Sequence, residues 1–328
     1  MVDVDQALGW LNEERGSAVS PTTQSQINEF YRPGLSQAER RSRVVVLLRT
    51  AATLTDPFEQ AEVFTNCGVF FYRLMQYDES IRWLQQADDY YRYLEDKHRQ
   101  SMTSWMLYLV MRAIGQYRRA FNQGRRARIL LQDKARQYRQ LQAPGTESWY
   151  QGREVDFIVR LISTPEDSFE WLFEFNGTRM SRSAMQIKDR AQENIERRMF
   201  DDADRDIKTL LEITGKSRES AQAAEALAFA GVAEWVMERQ MNALYYFRSA
   251  LTQYVPCPHE YALLTWMMGL AEWSFPDLRP KSMAKLESAI QKVEELRQEA
   301  VWKNETTRRD WYTVHFVAMR RVLTRLID

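Results

Sequence analysis

Residues 101–131, SMTSWMLYLVMRAIGQYRRAFNQGRRARILL, decide the fold of this chain. A helical run of largely apolar residues leads up to Gly115, where the sequence Gly-Gln-Tyr predicts a tight turn. Ala120 and Ala127 follow seven positions apart, which places both on one face of a second helix. Small residues on that face let two antiparallel helices approach closely, so a bulky residue at Ala120 would push them apart. The stretch therefore predicts a helix, a turn and a second helix.

The same pattern returns later in the chain at a nearly constant offset. Residues 105–109 are WMLYL and residues 266–270 are WMMGL, 161 positions apart. Further upstream the offset is 163, which pairs Gly68 with Gly231. The difference of two residues falls in one connector, where VPCP replaces the longer RYLEDK. A length change confined to a connector is typical of a duplicated structural unit, so we predict two similar halves.

These units resemble the tetratricopeptide repeat family, whose unit of about 34 residues has a small residue in its first helix and Gly-x-Tyr before its second. The resemblance implies an all-α fold, a right-handed α-solenoid of tetratricopeptide-like helix-turn-helix repeats with an internal duplication. Tyr108 departs from the pattern, because the family has a small residue there. The matching residues in five successive units are Gly68, Tyr77, Ser80 and Ala87; Leu107, Gly115, Tyr117, Ala120 and Ala127; Ala191, Phe200 and Ala203; Gly231, Ala243, Phe247 and Ala250; and Gly269, Ser282, Leu286 and Ala289.

The unit length leaves an alternative open. Ser80 and Ala120 are 40 residues apart, which also fits a HEAT-like or other α-solenoid. A second likeness, over residues 164–328, is to bacterial tetratricopeptide proteins of unassigned function, and TPEDSFEWLFEF at 164–175 is one stretch that carries it. We expect five segments: an N-terminal helix and linker (1–42), a first repeat half (43–145), connecting helices (146–183), a second repeat half (184–300) and a C-terminal capping helix (301–328).

Composition limits the class of protein. The 328 residues contain 45 Lys and Arg and 45 Asp and Glu, so the net charge of zero offers no whole-chain attraction for nucleic acid or an anionic membrane. Two cysteines are too few for a disulfide framework, and no stretch approaches the roughly 20 apolar residues of a membrane helix. Residues 1–10, MVDVDQALGW, have no basic leader. We expect a cytoplasmic protein with no membrane partner.

No residue set points to catalysis. The three histidines, at 98, 259 and 315, form no metal-binding pair at helical spacing. Cys257 and His259 are separated by one proline, a spacing at which two side chains rarely converge, and Cys67 is expected to be a buried thiol. No glycine-rich phosphate loop follows a strand. We therefore expect a protein that is not an enzyme and that uses no cofactor or metal.

The family resemblance also implies a partner-binding groove. In that family the first helices of successive units line a concave surface. Trp105 and Trp266 stand one residue after the family's tryptophan position, a rotation of about 100° that allows either a groove or a core position. Carried over residue by residue, the predicted groove consists of Glu62, Thr65, Val69, Tyr72, Trp105, Leu109, Arg112, Trp235, Trp266 and Trp273.

A basic stripe lies between residues 112 and 139, where nine Lys and Arg face a single acid, Asp133. The stripe could be a solvated helix face balanced by nearby acids, or it could bind an acidic protein or a nucleic acid. Its central basic patch is Arg118, Arg119, Arg125, Arg126 and Arg128.

Two functional interpretations follow. The first is a non-catalytic scaffold or regulatory adaptor in a bacterial signalling or defence assembly, which binds a peptide segment or partner subunit in the aromatic groove and could pair with a second copy as a homodimer. The alternative is an α-solenoid that binds nucleic acid through the stripe at residues 112–139.

Overall fold

A computed structural model describes residues 3–217, 219–254 and 256–328. Helices account for 81% of the chain, and the described residues contain no strand. The sixteen α-helices of these ranges pack in consecutive pairs, which confirms the all-α class and is consistent with an α-solenoid. Within the same ranges no helix combines the length and the apolar character needed to cross a lipid bilayer.

The chain forms two compact units, Met1–Phe157 (unit 1) and Ile158–Asp328 (unit 2). This division falls inside residues 146–183, which were predicted as connecting helices. The helices of unit 1 are α1 (Val4–Leu11), α2 (Pro21–Phe30), α3 (Gln37–Ala51), α4 (Pro57–Arg73), α5 (Tyr77–Tyr93), α6 (Lys97–Ala113), α7 (Tyr117–Gln140) and the larger part of α8 (Pro144–Leu161).

Unit 2 repeats this order of helices. It contains α9 (Pro165–Ser168) with the 3-10 helix Phe169–Phe173, α10 (Arg182–Glu196), α11 (Phe200–Gly215), α12 (Ser220–Val236), α13 (Gln240–Tyr254), α14 (Pro258–Trp273), the 3-10 helix Pro276–Leu278, α15 (Arg279–Trp302) and α16 (Thr306–Ile327). The repeated unit therefore begins with a short helix, α1 in unit 1 and α9 in unit 2. Residues 1–42 were predicted as one helix and a linker, but they contain α1, α2 and the start of α3.

The turn predicted at Gly115 is confirmed. Gly115 has a φ of +79°, and the N–H of Gln116 donates to the carbonyl of Met111 at 2.9 Å, which closes the end of α6. Met75 and Glu238 occupy the same place in their own helix pairs with φ values of +57° and +63°. Glycine adopts this left-handed conformation without the cost that a side chain brings. Of Met75, Gly115 and Glu238, only Gly115 is a glycine. The left-handed backbone conformation, and not the residue type, is therefore what the three turns share.

Small residues bring paired helices together. A Cβ atom on Gly68 would lie 2.6 Å from Cγ of Leu84, and one on Gly269 would lie 2.7 Å from Cδ2 of Leu286. These distances are far shorter than van der Waals contact, so any larger residue there would force Leu84 or Leu286 to move. In unit 1 the residue equivalent to Gly269 is Tyr108, and Gly124 stands at the position of Leu286. The large and small residues of this pair have exchanged helices.

Candidate functional site

Each unit covers its own first helices with a short segment of its own chain. In unit 1, α1 packs against α4 and α6. In unit 2, α9 and the 3-10 helix after it pack against α12 and α14. We call the covered surfaces the first-helix faces, and we call residues 3–18 and 164–179 the covering segments. The predicted groove residues lie on these first helices.

The predicted groove residues differ in burial along the first helices. Those near the middle of the helices are buried, namely Glu62, Thr65, Val69, Trp105 and Trp266. Those toward the carboxyl ends of the helices are half-buried, namely Tyr72, Leu109, Arg112, Trp235 and Trp273. Among the buried residues, Glu62 binds the covering segment of unit 1, whereas the hydroxyl of Thr65 lies 3.3 Å from that of Tyr91 on α5. The structure therefore does not leave the buried residues on one open groove.

The two tryptophans that sequence could not orient are in the core. The ring of Trp105 stacks on Phe157 with centroids 3.9 Å apart and an interplanar angle of 1°. Trp266 donates its indole N–H to the carbonyl oxygen of Ile162 at 2.8 Å. Both side chains are fully buried. Each of these tryptophans therefore packs in the core of its own unit.

One carboxylate on each first-helix face binds the backbone of the covering segment. Glu62 accepts from the N–H of Ala18 at 2.7 Å and from the Asn12 side chain at 2.8 Å. Glu225 accepts from the N–H of Arg179 at 2.7 Å, at the equivalent position of unit 2. Burial raises the pKa of the Glu225 carboxyl, and these hydrogen bonds only partly offset that effect. In each unit a glutamate carboxylate on the first-helix face thus accepts a hydrogen bond from a backbone N–H of the covering segment that burial would otherwise leave unpaired.

One histidine in each unit binds a carbonyl of the same segment. Nε2–H of His98 donates to the carbonyl oxygen of Trp10 at 2.9 Å, and Nδ1 lies 3.0 Å from the hydroxyl of Tyr150. His259 makes the same two contacts, with Trp171 at 3.0 Å and Tyr312 at 3.2 Å. Burial lowers the pKa of both imidazoles, so both are neutral near pH 7. The spacing of these histidines predicted no metal or catalytic site, but it did not indicate their bonds to the covering segments.

In unit 1 a charged cluster around Glu14 lies beside the histidine. Oε1 of Glu14 accepts from Lys134 Nζ and from the Tyr138 hydroxyl, each at 2.5 Å. Burial by itself would raise the pKa of Glu14, but these two hydrogen bonds and the positive charge of Lys134 together lower it. Burial and the bond to Glu14 raise the pKa of Tyr138 to about 12. The cluster lies next to a cavity of about 400 Å³ that is lined by Glu13, Glu14, His98, Gly145, Thr146, Trp149 and Tyr150.

Acids from elsewhere in unit 1 balance much of the predicted basic stripe. Arg126 donates to buried Asp88 on α5 at 2.6 Å. Lys134 pairs with Glu14, and Arg139 pairs with Glu147 at 2.7 Å. Within the central patch, Arg119 donates to Gln116 at 2.8 Å, Arg128 is buried, and Arg118 and Arg125 are exposed. The patch is therefore not one continuous exposed surface.

Neither cysteine shows the environment of a reactive thiol. Cys67 is fully buried, and burial raises its pKa; burial also raises the pKa of Cys257. In the described ranges no group of three or more His, Cys, Asp or Glu residues is placed to hold a metal ion.

Neither a scan against models of known protein families nor a search of the curated proteins finds a match to this chain.

Proposed function

We propose that this chain is a cytoplasmic, non-catalytic interaction protein, a right-handed α-solenoid of tetratricopeptide type that binds a short helical segment of a partner protein. The partner segment would lie on the first-helix face of unit 1, in place of residues 3–18. One observation carries the proposal: both first-helix faces already hold a short helical segment of their own chain, with equivalent contacts.

The contacts to the covering segment define the chemistry of such a partner. Glu62 accepts a backbone N–H and His98 donates to a backbone carbonyl, and any peptide can offer these two groups. Sequence preference would come from the apolar side chains equivalent to Trp10 and Leu11, which are buried. The expected partner segment is a short amphipathic helix with a tryptophan or a similar large residue, followed by extended backbone.

Unit 1 is the better candidate because its covering segment is held by more polar contacts. Asp5 and Arg73 form an ion pair that solvent reaches, and Arg99 donates to the carbonyl of Gly16 at 2.7 Å. Both covering segments also bury apolar side chains, Trp10 and Leu11 among them in unit 1 and Phe169, Trp171 and Leu172 in unit 2. An exposed polar contact such as the Asp5–Arg73 pair is exchanged for water at small cost. We place the partner on unit 1 because its covering segment relies on such contacts in addition to apolar burial.

Saturated hydrogen bonding supports the non-catalytic part of the proposal. Both ring nitrogens of His98 and of His259 contact groups of their own unit. A general base needs a ring nitrogen within reach of a substrate proton. The buried thiol of Cys67, whose pKa is raised, offers no nucleophile in its place.

A labelled peptide of residues 3–18 tests the proposal. It would be titrated into the full chain and into a Trp10→Ala/Leu11→Ala variant, in which the covering segment is weakened but the face is intact. We expect the variant to bind the peptide at least about tenfold more tightly than the unaltered chain, because the competing internal segment is weaker. Absence of binding to a variant that still unfolds cooperatively would contradict the proposal.

The duplication supplies a matched control. Glu62→Gln, added to the weakened variant, removes the charged acceptor for the N–H of Ala18 and should reduce peptide binding. Glu225→Gln makes the same change on the face of unit 2 and should leave binding unchanged. Equal effects of the two substitutions would show that the peptide does not bind on the first-helix face of unit 1.

A further inference from the structure

The outer side of α13 in unit 2 has few charges for an exposed helix surface. Its 15 residues contain a single charged side chain, that of Arg248. Met241 is 66% exposed and Tyr245 is 67% exposed. The solvent face of a surface helix normally carries charged and polar residues. Protein interfaces are instead depleted of most charged residues and enriched in Met, Tyr and Arg, which is the composition found here.

The exposed side chains of α13 follow one side of the helix. They stand at spacings of four, three and four residues, namely Met241, Tyr245, Arg248 and Thr252. We call these four residues the α13 stripe. Residues at such spacings share one helix face, and this is the spacing along which two helices pack against each other. With a rise of 1.5 Å per residue, the stripe is about 17 Å long.

The one charge of the α13 stripe already lies beside an acid of unit 2. Nη2 of Arg248 donates to Oε1 of Glu272 at 3.5 Å, and the other carboxylate oxygen accepts from Lys285 at 2.7 Å. Glu272 is buried, whereas more than half of the Arg248 side chain is exposed. The stripe therefore favours a nearly neutral partner surface, and its exposed guanidinium can still stack on an aromatic ring.

The order of residues along the α13 stripe fits a second copy of the same helix. In a two-fold symmetric contact the same surface of both copies takes part. If two α13 helices pack antiparallel about the middle of the stripe, Met241 of one copy faces Thr252 of the other. Tyr245 then faces Arg248, which is a favourable cation–π pair that occurs twice in the dimer. No position of the stripe faces a residue of its own charge.

The equivalent stripe of unit 1 does not fit this arrangement. On α5 the same four positions are also exposed, and they hold Asp78, Arg82, Gln85 and Asp89. Antiparallel pairing of two α5 helices would place Asp78 of one copy against Asp89 of the other, at both ends of the contact. Like charges that face each other across an interface are unfavourable. The self-complementary surface is therefore a feature of unit 2.

We infer that α13 is the contact surface of a homodimer, in which the α13 helices of two copies pack antiparallel about a two-fold axis. Four residues from each copy form a small interface, so the dissociation constant is on the order of 10 µM. The stripe shares no residue with the first-helix faces. The inference therefore does not depend on the proposed peptide binding.

Sedimentation equilibrium of the full chain tests the surface. Between about 1 and 500 µM we expect a reversible equilibrium of monomer and dimer. Tyr245→Asp should raise the dissociation constant at least about tenfold, because the dimer would bury a carboxylate in place of a ring. Tyr93→Asp on α5 is the matched control, since Tyr93 is 82% exposed, and it should leave the constant unchanged. A chain that stays monomeric, or equal effects of the two substitutions, overturns the inference.

Two double variants test the antiparallel arrangement. Met241→Asp/Thr252→Asp copies the acids of α5 and places acid against acid, so association should weaken at least about tenfold. Met241→Asp/Thr252→Lys places Asp against Lys and should keep association within about threefold of the unaltered chain. Both positions are exposed, so both variants should retain cooperative thermal unfolding. If the Lys variant associates no better than the Asp variant, the antiparallel arrangement is wrong.

Discussion

His98 donates its Nε2–H to the carbonyl oxygen of Trp10 across 88 residues of sequence. The same bond joins His259 and Trp171, also across 88 residues. A long-range contact repeated at the same separation cannot come from local helix pairing alone. The covering segment is therefore part of the duplicated unit, and each unit carries the segment that closes its own first-helix face.

The buried histidines predict a loss of stability in mild acid. Because burial lowers the pKa of His98, the unfolded chain binds a proton near pH 6.5 that the folded chain does not bind. The free energy of unfolding should therefore fall as pH drops from 7 to 5. His98→Gln, which can still donate to Trp10 and accept from Tyr150, should flatten this slope, as measured by urea unfolding at a series of pH values.

His98 is a cleaner test than His259. The carboxyl of Glu225 in unit 2 has a raised pKa, so it gains protons on folding and has the opposite effect on the slope. Glu14, whose pKa is lowered, loses its contribution only as pH falls below about 4.5. An unchanged slope in His98→Gln between pH 7 and 5 would mean that this imidazole is not the group responsible.

The two core tryptophans should differ in what their indole nitrogens contribute. Trp266 donates to the buried carbonyl of Ile162, whereas the indole N–H of Trp105 is buried without a hydrogen-bond partner. Trp266→Phe leaves the Ile162 carbonyl unpaired, which costs about 1–3 kcal/mol in addition to the lost volume. Trp105→Phe incurs only the lost volume. Chemical denaturation of the two variants should rank Trp266→Phe as the less stable.

The close helix approach at Gly68 predicts a large effect from a single methyl group. Gly68→Ala places Cβ 2.6 Å from Leu84, and the repacking that follows should cost about 1–3 kcal/mol. Gly152→Ala in α8 is the control, because a Cβ atom there meets nothing within 4 Å. That change should be neutral or should stabilise by up to about 1 kcal/mol. If both variants have the same melting temperature, the spacing of α4 and α5 does not depend on Gly68.

Within the basic stripe, Arg126 should matter more for stability than its exposed neighbours. Its partner Asp88 is buried with 4% of its side chain exposed, and it also accepts from Arg92 at 2.9 Å. Arg126→Glu should destabilise unit 1 by roughly 1–3 kcal/mol, because it places a like charge beside a buried acid. Arg136→Glu changes a pair that is more exposed and should cost about 1 kcal/mol or less. Equal costs would show that the burial of Asp88 is unimportant.

The helix pairs and the duplication could be predicted because they depend on local spacing. Gly68, Gly115 and Gly231 mark close approaches or turns whose geometry allows few other residues. The orientation of Trp105 and Trp266 could not be predicted, since it depends on tertiary contacts with Phe157 and with the carbonyl of Ile162, which are distant in sequence. One signal was available: Trp10 and Trp171 are 161 positions apart, the same offset as the other two tryptophans.

The ion pairs of the basic stripe could not be predicted either, because they depend on tertiary structure. Arg126 and Lys134 appear on a helix with a single acid, but their partners Asp88 and Glu14 come from α5 and from the covering segment. Glu14 itself had no counterpart to draw attention to it, because the equivalent position holds Phe175. This difference between the two copies becomes visible only when the segments before α2 and α10 are aligned.

The covering segments also set an order of events during synthesis. Trp10 leaves the ribosome 88 residues before His98, which takes about 4–18 s at ordinary elongation rates. During that interval the apolar side of α1 has no surface to cover. The second segment, around Trp171, is made after α4 and α6 are complete, when a related face already exists. We therefore expect chains in which α1 docks slowly to be the ones at risk of placing the second covering segment on the first-helix face of unit 1.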